Sequence, residues 1–476
     1  MRFSRQPGTV PDWPSRRPGT RPAPPTGPSA PPPAGAVPAG DGPVSPLSQS
    51  GFALLLLYLF SFYALINEMF YAAAGFIPHT TKVFGVLTLL CALAGGTLLR
   101  GFQSRIAVFW ALFILWNVAA IPFSQWRGGS TQVVLSVLPS HALAFLIPAL
   151  ATTLDRVRKT IYCLAVTMAL VFVYCITLGV LKDGRLIISR SIFGNPNDLA
   201  LHLLLGMAIF LVFFRPKSVL VIFGLLGMAA LGACIVRTGS RGTFVSALAV
   251  AGVWLLIGTM RVRVTIIAGG LLLAVLAVFV APKSTIERLT MIELNADEAM
   301  KEATSSDEGK SIASQLSREE LFIKSIRYTL EHPIFGVGPG EFVDALMKEA
   351  GEEGKHVQAL RPHNAYTQIS AEAGIPALFL YLGAVLLALA ANYRVYKAVR
   401  EVNGLEAVAA QSMALLTLTL AHGFNALFVH VSGFSYEGLI VGLTIANYLA
   451  AARELPELRA KFVPARELSR LAGVRG

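Results

Sequence analysis

Long apolar runs recur along this chain and constrain its fold more than any other feature. The runs are about 20 residues long, the length that an α-helix needs to cross a hydrocarbon core of about 30 Å. Only 14% of the residues are charged, against about 25% in a typical soluble domain. Because lipid offers backbone amides no water to bond, such spans must be helical. The sequence therefore predicts an all-α, polytopic membrane protein.

We predict about twelve transmembrane helices from these runs. Their approximate limits are 51–73, 81–99, 105–123, 131–151, 159–180, 197–214, 217–236, 242–259, 264–281, 372–391, 406–429 and 433–452. With the N-terminus inside, every connection on the inner side contains arginine or lysine, as the positive-inside rule requires. The sequence therefore predicts that both termini are cytoplasmic.

The chain divides into five predicted segments. Residues 1–47 hold 14 of the 27 prolines, so this segment is predicted to be a disordered cytoplasmic tail. Residues 48–281 carry the first nine spans, 282–362 form a large periplasmic loop, and 363–452 carry the last three spans. Residues 453–476 form a basic cytoplasmic tail.

The large outer loop is predicted to be partly helical. Apolar residues at helical spacing indicate an amphipathic helix over 316–331. His332 and Pro333 should end this helix. The turn-rich stretch that follows contains Gly336, Gly338, Pro339 and Gly340. A structured loop of this length between two spans is usually functional.

Charge and cysteine content exclude several functional classes. The net charge of +12 does not indicate nucleic acid, because the basic residues lie in short loops and tails between apolar runs. The four cysteines all fall in or beside spans, so the sequence contains no disulfide framework for the loop. The spacing of histidines, cysteines and carboxylates predicts no metal site, and we expect no cofactor.

Several arginines lie on the side of the membrane where the positive-inside rule disfavours them. They are Arg185, Arg190, Arg237, Arg241, Arg318 and Arg361. The planar guanidinium group binds phosphate oxygens through two parallel hydrogen bonds, so the set indicates an anion site. For each arginine the alternative is an ion pair with a carboxylate of the outer loop, or contact with water.

His363 is the first candidate for a general base. It lies where the large loop re-enters the membrane, and a histidine with a pKa near neutrality can accept a hydroxyl proton. The alternative is a hydrogen-bonded surface histidine. Glu68, near the outer end of the first span, is the second candidate base. Glu372 could orient a catalytic group or pair with an arginine, and Asn364 is a further supporting candidate.

The segment that leads into the sixth span has good helix-start chemistry. Asn195 is predicted to be the N-cap and Pro196 the first helical residue. The free amides of such a helix start could also hold an anion, but capping alone explains the segment.

Three motifs in the outer compartment carry a resemblance to a known family. The first is Ser-Arg-Gly at 240–242, at the outer end of a span. The second is Arg318 followed by a His-Pro-x-x-Gly-x-Gly turn that starts at His332. The third is His363-Asn364, followed by a glycine-containing stretch in the next span.

In this order the motifs resemble the O-antigen ligase/polymerase family of membrane glycan transferases. The resemblance covers roughly residues 180–392, and Ala377 stands where the ligase-type pattern has glycine. It implies a GT-C-type fold and a donor glycan carried on undecaprenyl pyrophosphate. In the implied roles His363 is the base, and the pyrophosphate-binding residues are Arg241 and Arg318, with Arg190 and Arg237 as helpers.

The resemblance implies a metal-independent, inverting glycosyltransferase of the bacterial inner membrane with a periplasmic active site. The leading interpretation is a ligase that transfers O-antigen to lipid A–core in lipopolysaccharide biosynthesis. A polymerase of lipid-linked repeats or a protein O-oligosaccharyltransferase would need the same donor chemistry. A transporter or flippase is the alternative from another class, although the chain has no clear internal repeat.

Overall fold

The structure, a computed structural model, describes residues 46–189, 191–280, 307–352, 361–430, 436–464 and 467. Nearly all of the proline-rich segment, the first part of the large loop, Arg190 and the end of the C-terminal tail lie outside the described residues. What was predicted for those parts stays a prediction.

Helices dominate the described residues, which confirms the all-α prediction. They are α1 (Pro46–Tyr63), α2 (Ile66–Ala74), α3 (Thr80–Ala94), α4 (Arg105–Ala120), α5 (Arg127–Leu150), α6 (Leu154–Thr177), α7 (Pro196–Phe210), α8 (Leu220–Thr238), α9 (Arg241–Ile257), α10 (Met260–Val280), α11 (Asp307–Glu331), α12 (Phe342–Glu352), α13 (Ala365–Val399), α14 (Glu406–Asn425), α15 (Glu437–Glu454) and α16 (Arg459–Phe462). Short 3₁₀ turns span Leu98–Gln103, Ile121–Phe123, Ile192–Gly194 and Leu211–Phe213.

Eight of the helices in the described ranges are long and apolar enough to cross a membrane. They are α1, α4 with its 3₁₀ extension, α5, α6, α7 with its 3₁₀ extension, α8, α13 and α14. Two shorter apolar helices are α3 and α9. The protein is therefore a polytopic membrane protein, and the count of twelve spans stays a prediction.

Two predicted spans differ from the helices that form. The run 51–73 is two helices, because Leu65 adopts a left-handed conformation with φ 55° between α1 and α2. The run 372–391 is the middle of the longer helix α13, whose helical geometry is interrupted at Gly374 with φ 82°. In both places the apolar run alone gives no sign of the backbone change.

Buried polar side chains connect the membrane helices to one another. Gln411 on α14 donates to Asn447 on α15 at 2.7 Å, and the Asn447 amide donates to Ser412 at 3.2 Å. On the other side of α14, the Trp254 indole of α9 donates to Thr417 at 2.9 Å. Such bonds between neighbouring helices replace the hydrophobic driving force that lipid cannot supply.

A short β-hairpin lies between α6 and α7. Strand β1 (Gly179–Lys182) pairs antiparallel with β2 (Arg185–Ile188). The two turn residues between them have positive φ, as a two-residue hairpin turn requires. Arg185 donates to the Thr238 carbonyl and to the Asn197 side chain, both at 2.8 Å. Through Arg185, the hairpin therefore holds the end of α8 and the start of α7 together by hydrogen bonds.

Helices α11 and α12 form a small unit with its own apolar core, which we call the outer unit because the sequence predicts this segment to lie outside the membrane. Its buried residues are Leu321, Tyr328, Val337, Phe342, Ala345, Leu346 and Ala371. Glu349 of α12 accepts hydrogen bonds from Lys324, Arg327 and Tyr328 of α11. The predicted helix 316–331 is confirmed: α11 begins at Asp307 and ends at Glu331, before Pro333, as the sequence indicated.

The segment 333–341, which we call the glycine turn, docks this outer unit on the interruption of α13. Val337 and Gly338 donate to the carbonyls of Ala371 and Glu372 at 2.9 Å, and Ile375 donates to the Pro333 carbonyl at 2.8 Å. A Cβ atom at Gly336 would clash with the backbone of Glu372. Glycine is therefore required for this close approach.

Candidate functional site

The first part of the candidate site is the corner between α8 and α9. Gly239, with φ 61°, ends α8 in the left-handed conformation, and Arg241 is the first residue of α9. The Asn425 amide at the end of α14 donates to Thr243 at 3.1 Å. A Cβ atom at Gly242 would lie 2.5 Å from Cβ of Phe428. The Ser-Arg-Gly motif thus lets the first turn of α9 pack tightly against the chain that follows α14.

Arg318 of α11 is the second part. Its Nε atom is buried and has no hydrogen-bond partner among the described residues. Burial and the nearby Arg241 together lower the pKa of Arg318. Two guanidinium groups therefore lie close together, with one of them partly removed from water. An anion between them would supply the missing acceptor and reduce their repulsion.

His363 is the third part, immediately before α13. Asn364 is the N-cap of this helix, and its side chain accepts from the amides of Tyr366 at 3.1 Å and Thr367 at 3.2 Å. The Ala365 amide donates to the Ala426 carbonyl at 2.8 Å. The start of α13 is therefore held against the end of α14, which fixes where His363 lies.

Burial, Arg318 and His430 lower the pKa of His363 to about 4. The imidazole is consequently neutral at physiological pH and can accept a proton. A bound anion would neutralise the effect of Arg318, so it would raise the pKa of His363 and make the imidazole a stronger base. We therefore expect the base strength of His363 to depend on whether an anion is bound.

His430 joins the same group, although no feature of the sequence selects it. Its ring centroid lies 6.0 Å from that of His363, with the two planes at 76°. Burial and then Arg361 lower the pKa of His430 to about 4. The only signal in the sequence was its place in the last predicted outer loop, which many non-functional residues share.

Arg361 and Glu372 lie beside this group and have different contacts. Arg361 is close enough to act electrostatically on both His430 and Glu372. The Glu372 carboxylate accepts from the Gly340 amide at 2.9 Å and from the Gln368 side chain at 2.8 Å. Its hydrogen bonds therefore attach the glycine turn to α13, which makes Glu372 a positioning residue.

Two other predicted site residues, Arg237 and Glu68, are not brought into this group. Arg237 lies in the last turn of α8 and acts on the thiols of Cys175 and Cys234. Glu68 lies in the first turn of α2 and is not among the groups that affect Arg318 or His363. Arg190 is outside the described residues. The predicted Asn195 cap is confirmed: its side chain accepts from the Asn197 amide at 2.9 Å, directly before Pro196.

A second polar cluster lies between α13, α14 and α15. His422 Nε2 lies 3.5 Å from a Glu437 carboxylate oxygen and 3.3 Å from the Tyr381 hydroxyl. The Tyr366 hydroxyl donates to the Gly423 carbonyl at 2.7 Å. Because Tyr366 is only one turn from His363, this cluster continues the polar surface from the candidate base into the helix bundle.

Comparison with known proteins identifies the region that contains these groups. The chain has no match among curated protein sequences. The family model described as O-antigen ligase matches residues 226–382. This region begins in α8, ends in α13 and includes Arg241, Arg318 and His363. The corner with Arg241, the helix with Arg318 and the helix start with His363 all lie in this region, which is similar to the O-antigen ligase family.

Proposed function

We propose that the protein transfers a glycan from undecaprenyl pyrophosphate to an acceptor hydroxyl at the periplasmic face of the bacterial inner membrane. The proposed acceptor is lipid A–core, which makes the protein an O-antigen ligase. The observation that carries the proposal is the buried Nε of Arg318, which has no hydrogen-bond partner in the described ranges. It lies beside Arg241 and within electrostatic reach of His363. The similarity of residues 226–382 to the O-antigen ligase family supports it.

Arg241 and Arg318 are the proposed pyrophosphate ligands. As the bond between the anomeric carbon and the phosphate oxygen breaks, its electron pair stays on that oxygen. Guanidinium groups placed beforehand stabilise this developing charge, an effect worth about 10²–10³-fold for one donor. The residues themselves thus supply the electrostatic contribution, and the proposal requires no metal ion.

His363 is the proposed general base. The acceptor oxygen bonds to the anomeric carbon from the face opposite the departing pyrophosphate, and its proton passes to the neutral imidazole. One displacement of this kind inverts the configuration at the anomeric carbon. Binding of the donor between Arg241 and Arg318 raises the pKa of His363 from its value of about 4, so the base gains strength only when the donor is present.

The test is glycan transfer by the purified protein in lipid, with a polyprenyl-pyrophosphate glycan as donor. His363→Ala should lower transfer by about 10²–10⁴-fold, the usual contribution of a general base. The matched control is His332→Ala, because His332 is an exposed histidine at the end of α11. Equal transfer by His363→Ala and wild type would remove His363 from the mechanism.

The acceptor is tested separately in the same preparation. Lipid A–core, lipid-linked repeats and a serine-containing peptide are offered in parallel to the wild type. Transfer to lipid A–core alone supports the ligase proposal. Elongation of the lipid-linked repeats identifies a polymerase, and a glycosylated peptide identifies a protein O-oligosaccharyltransferase. Carriage of the donor across the bilayer without transfer would identify a flippase.

A further inference from the structure

Helix α11 has two separate apolar faces, although a helix on a protein surface normally needs only one. Leu321, Ser325 and Tyr328 lie on one face and are buried. A second set of apolar residues occupies the next part of the helix circumference and is exposed. With Ile334, which follows the helix, we call this set the outer apolar stripe: Phe322, Ile323, Ile326, Leu330 and Ile334.

The rest of the exposed circumference of α11 is polar. At 100° per residue, the charged residues fall together on one side, between the buried face and the stripe: Glu320, Lys324, Arg327 and Glu331. Leu330 is 71% exposed and Ile323 is 57% exposed, so the side chains of the stripe lie on the protein surface. Glu319 marks its N-terminal limit. Separation of the exposed surface into an apolar and a charged strip is typical of helices that lie in a membrane interface.

The orientation of α11 about its own axis is fixed by contacts on its other faces. Lys324 bonds to Glu349 at 2.5 Å, and the Tyr328 hydroxyl donates to the same carboxylate at 2.6 Å. On α13, Ser370 bonds to Thr329 at 2.8 Å. Because these bonds hold two sides of the helix, on α12 and on α13, the helix cannot rotate to bury the stripe against the protein.

The stripe is continuous with the lipid-facing side of a membrane helix. The Ile375 amide of α13 donates to the Pro333 carbonyl at 2.8 Å, which places Ile334 beside Ile375. Ile375 and, one turn later, Phe379 are exposed on this helix, which is long and apolar enough to span a membrane. The surface that lipid must cover on α13 therefore extends onto α11.

Aromatic residues mark the same level on the neighbouring helices. Phe123, at the end of α4, stacks on Phe335 of the glycine turn with ring centroids 4.0 Å apart. Phe123 is 62% exposed, and Trp126 three residues later is 59% exposed. Exposed aromatic rings near the ends of spanning helices are typical of the boundary between headgroups and acyl chains.

We propose that α11 lies in the membrane interface, with the outer apolar stripe inserted between the headgroups and acyl chains of the outer leaflet. The occupant of this surface is the lipid bilayer itself. The helix thereby fixes the height of Arg318, which lies one turn before Phe322, relative to the membrane surface. This inference does not depend on the identity of the donor or acceptor.

Spin labels in lipid nanodiscs can test the placement. Each of the four native cysteines is replaced by alanine in the full chain, and single cysteines are introduced at Ile326 or Leu330. The matched control is a cysteine at Glu320, on the charged strip of the same helix. Power saturation then compares the access of oxygen, which concentrates in lipid, with that of a water-soluble nickel chelate.

Labels at Ile326 and Leu330 should be accessible to oxygen and protected from the chelate, at about 5–10 Å below the headgroup surface. The label at Glu320 should show the reverse. Equal chelate access at Ile326 and Glu320 would overturn the proposal. Protection from both reagents, with magnetic coupling between labels, would also overturn it and would identify a second copy of the chain as the occupant. Because Leu330 is mostly exposed, its replacement leaves the protein core unchanged.

Discussion

Among single residues, Arg318 connects anion binding to the strength of the candidate base. Burial, Arg318 and His430 lower the pKa of His363 to about 4, so the neutral form is present above that pH. If Arg318→Gln removes one of these causes, the pKa of His363 should rise toward 6.5. The acid limb of the profile of kcat/KM against pH, which reports groups of the free enzyme, should then move to higher pH.

Arg318→Lys is the matched control for this shift. It keeps the positive charge and loses the planar fork, so transfer should fall while the acid limb keeps its place. An unshifted acid limb in Arg318→Gln would contradict the electrostatic connection between Arg318 and His363. That result would not contradict a role of Arg318 in donor binding, because donor binding is measured separately through the KM for the donor.

Residue chemistry that depends on neighbours in sequence was predictable, and chemistry that depends on distant neighbours was not. Asn195 acts as an N-cap where the sequence predicted one, because capping is decided within three residues. His430 was missed because its relation to His363 arises from the contact between the start of α13 and the end of α14. No local pattern encodes that contact.

At the level of elements, the interruption of α13 at Gly374 is what receives the glycine turn. Gly374 has φ 82°, and a Cβ atom there would clash with the Ile334 carbonyl oxygen. Gly374→Ala should therefore cost about 1–3 kcal/mol for the backbone conformation alone, because φ 82° with ψ 173° is essentially restricted to glycine. We expect a lower thermal unfolding midpoint and faster amide hydrogen exchange in segment 333–341.

Gly351→Ala in α12 is the control for this substitution. Gly351 has ordinary helical geometry and no atom within 4 Å of an added Cβ, so alanine should be neutral or slightly stabilising. Unchanged hydrogen exchange in segment 333–341 of Gly374→Ala would show that the docking does not need the interruption.

The element boundaries show the same division between local and distant causes. The end of α11 before Pro333 was predictable, because proline cannot continue a helix. The interruption at Gly374 was not, because the apolar run 372–391 predicted only a span. It forms where backbone groups of α13 bond the glycine turn, and that contact joins segments far apart in sequence.

For the molecule as a whole, all three parts of the candidate site lie at one end of the helix bundle. Hydrogen bonds hold these parts together there. The Thr243–Asn425 bond fixes the corner before α9 to the end of α14, and the Thr329–Ser370 bond fixes the outer unit to α13. Arginines and lysines concentrate in the connections that the sequence places at the other end. The positive-inside rule therefore predicts that the candidate site faces the periplasm.

Labelling of single cysteines with a membrane-impermeant maleimide tests this orientation. Glu352→Cys at the exposed end of α12 should react in intact spheroplasts, because the outer unit is predicted to be periplasmic. Glu401→Cys is the matched control. It is an exposed glutamate after α13, and its contact with Arg400 is at the surface and contributes little stability. It should react only after the cells are lysed, because its connection is predicted to be cytoplasmic. The reverse pattern would place the candidate site in the cytoplasm, where a glycan already exported on its lipid carrier could not reach it.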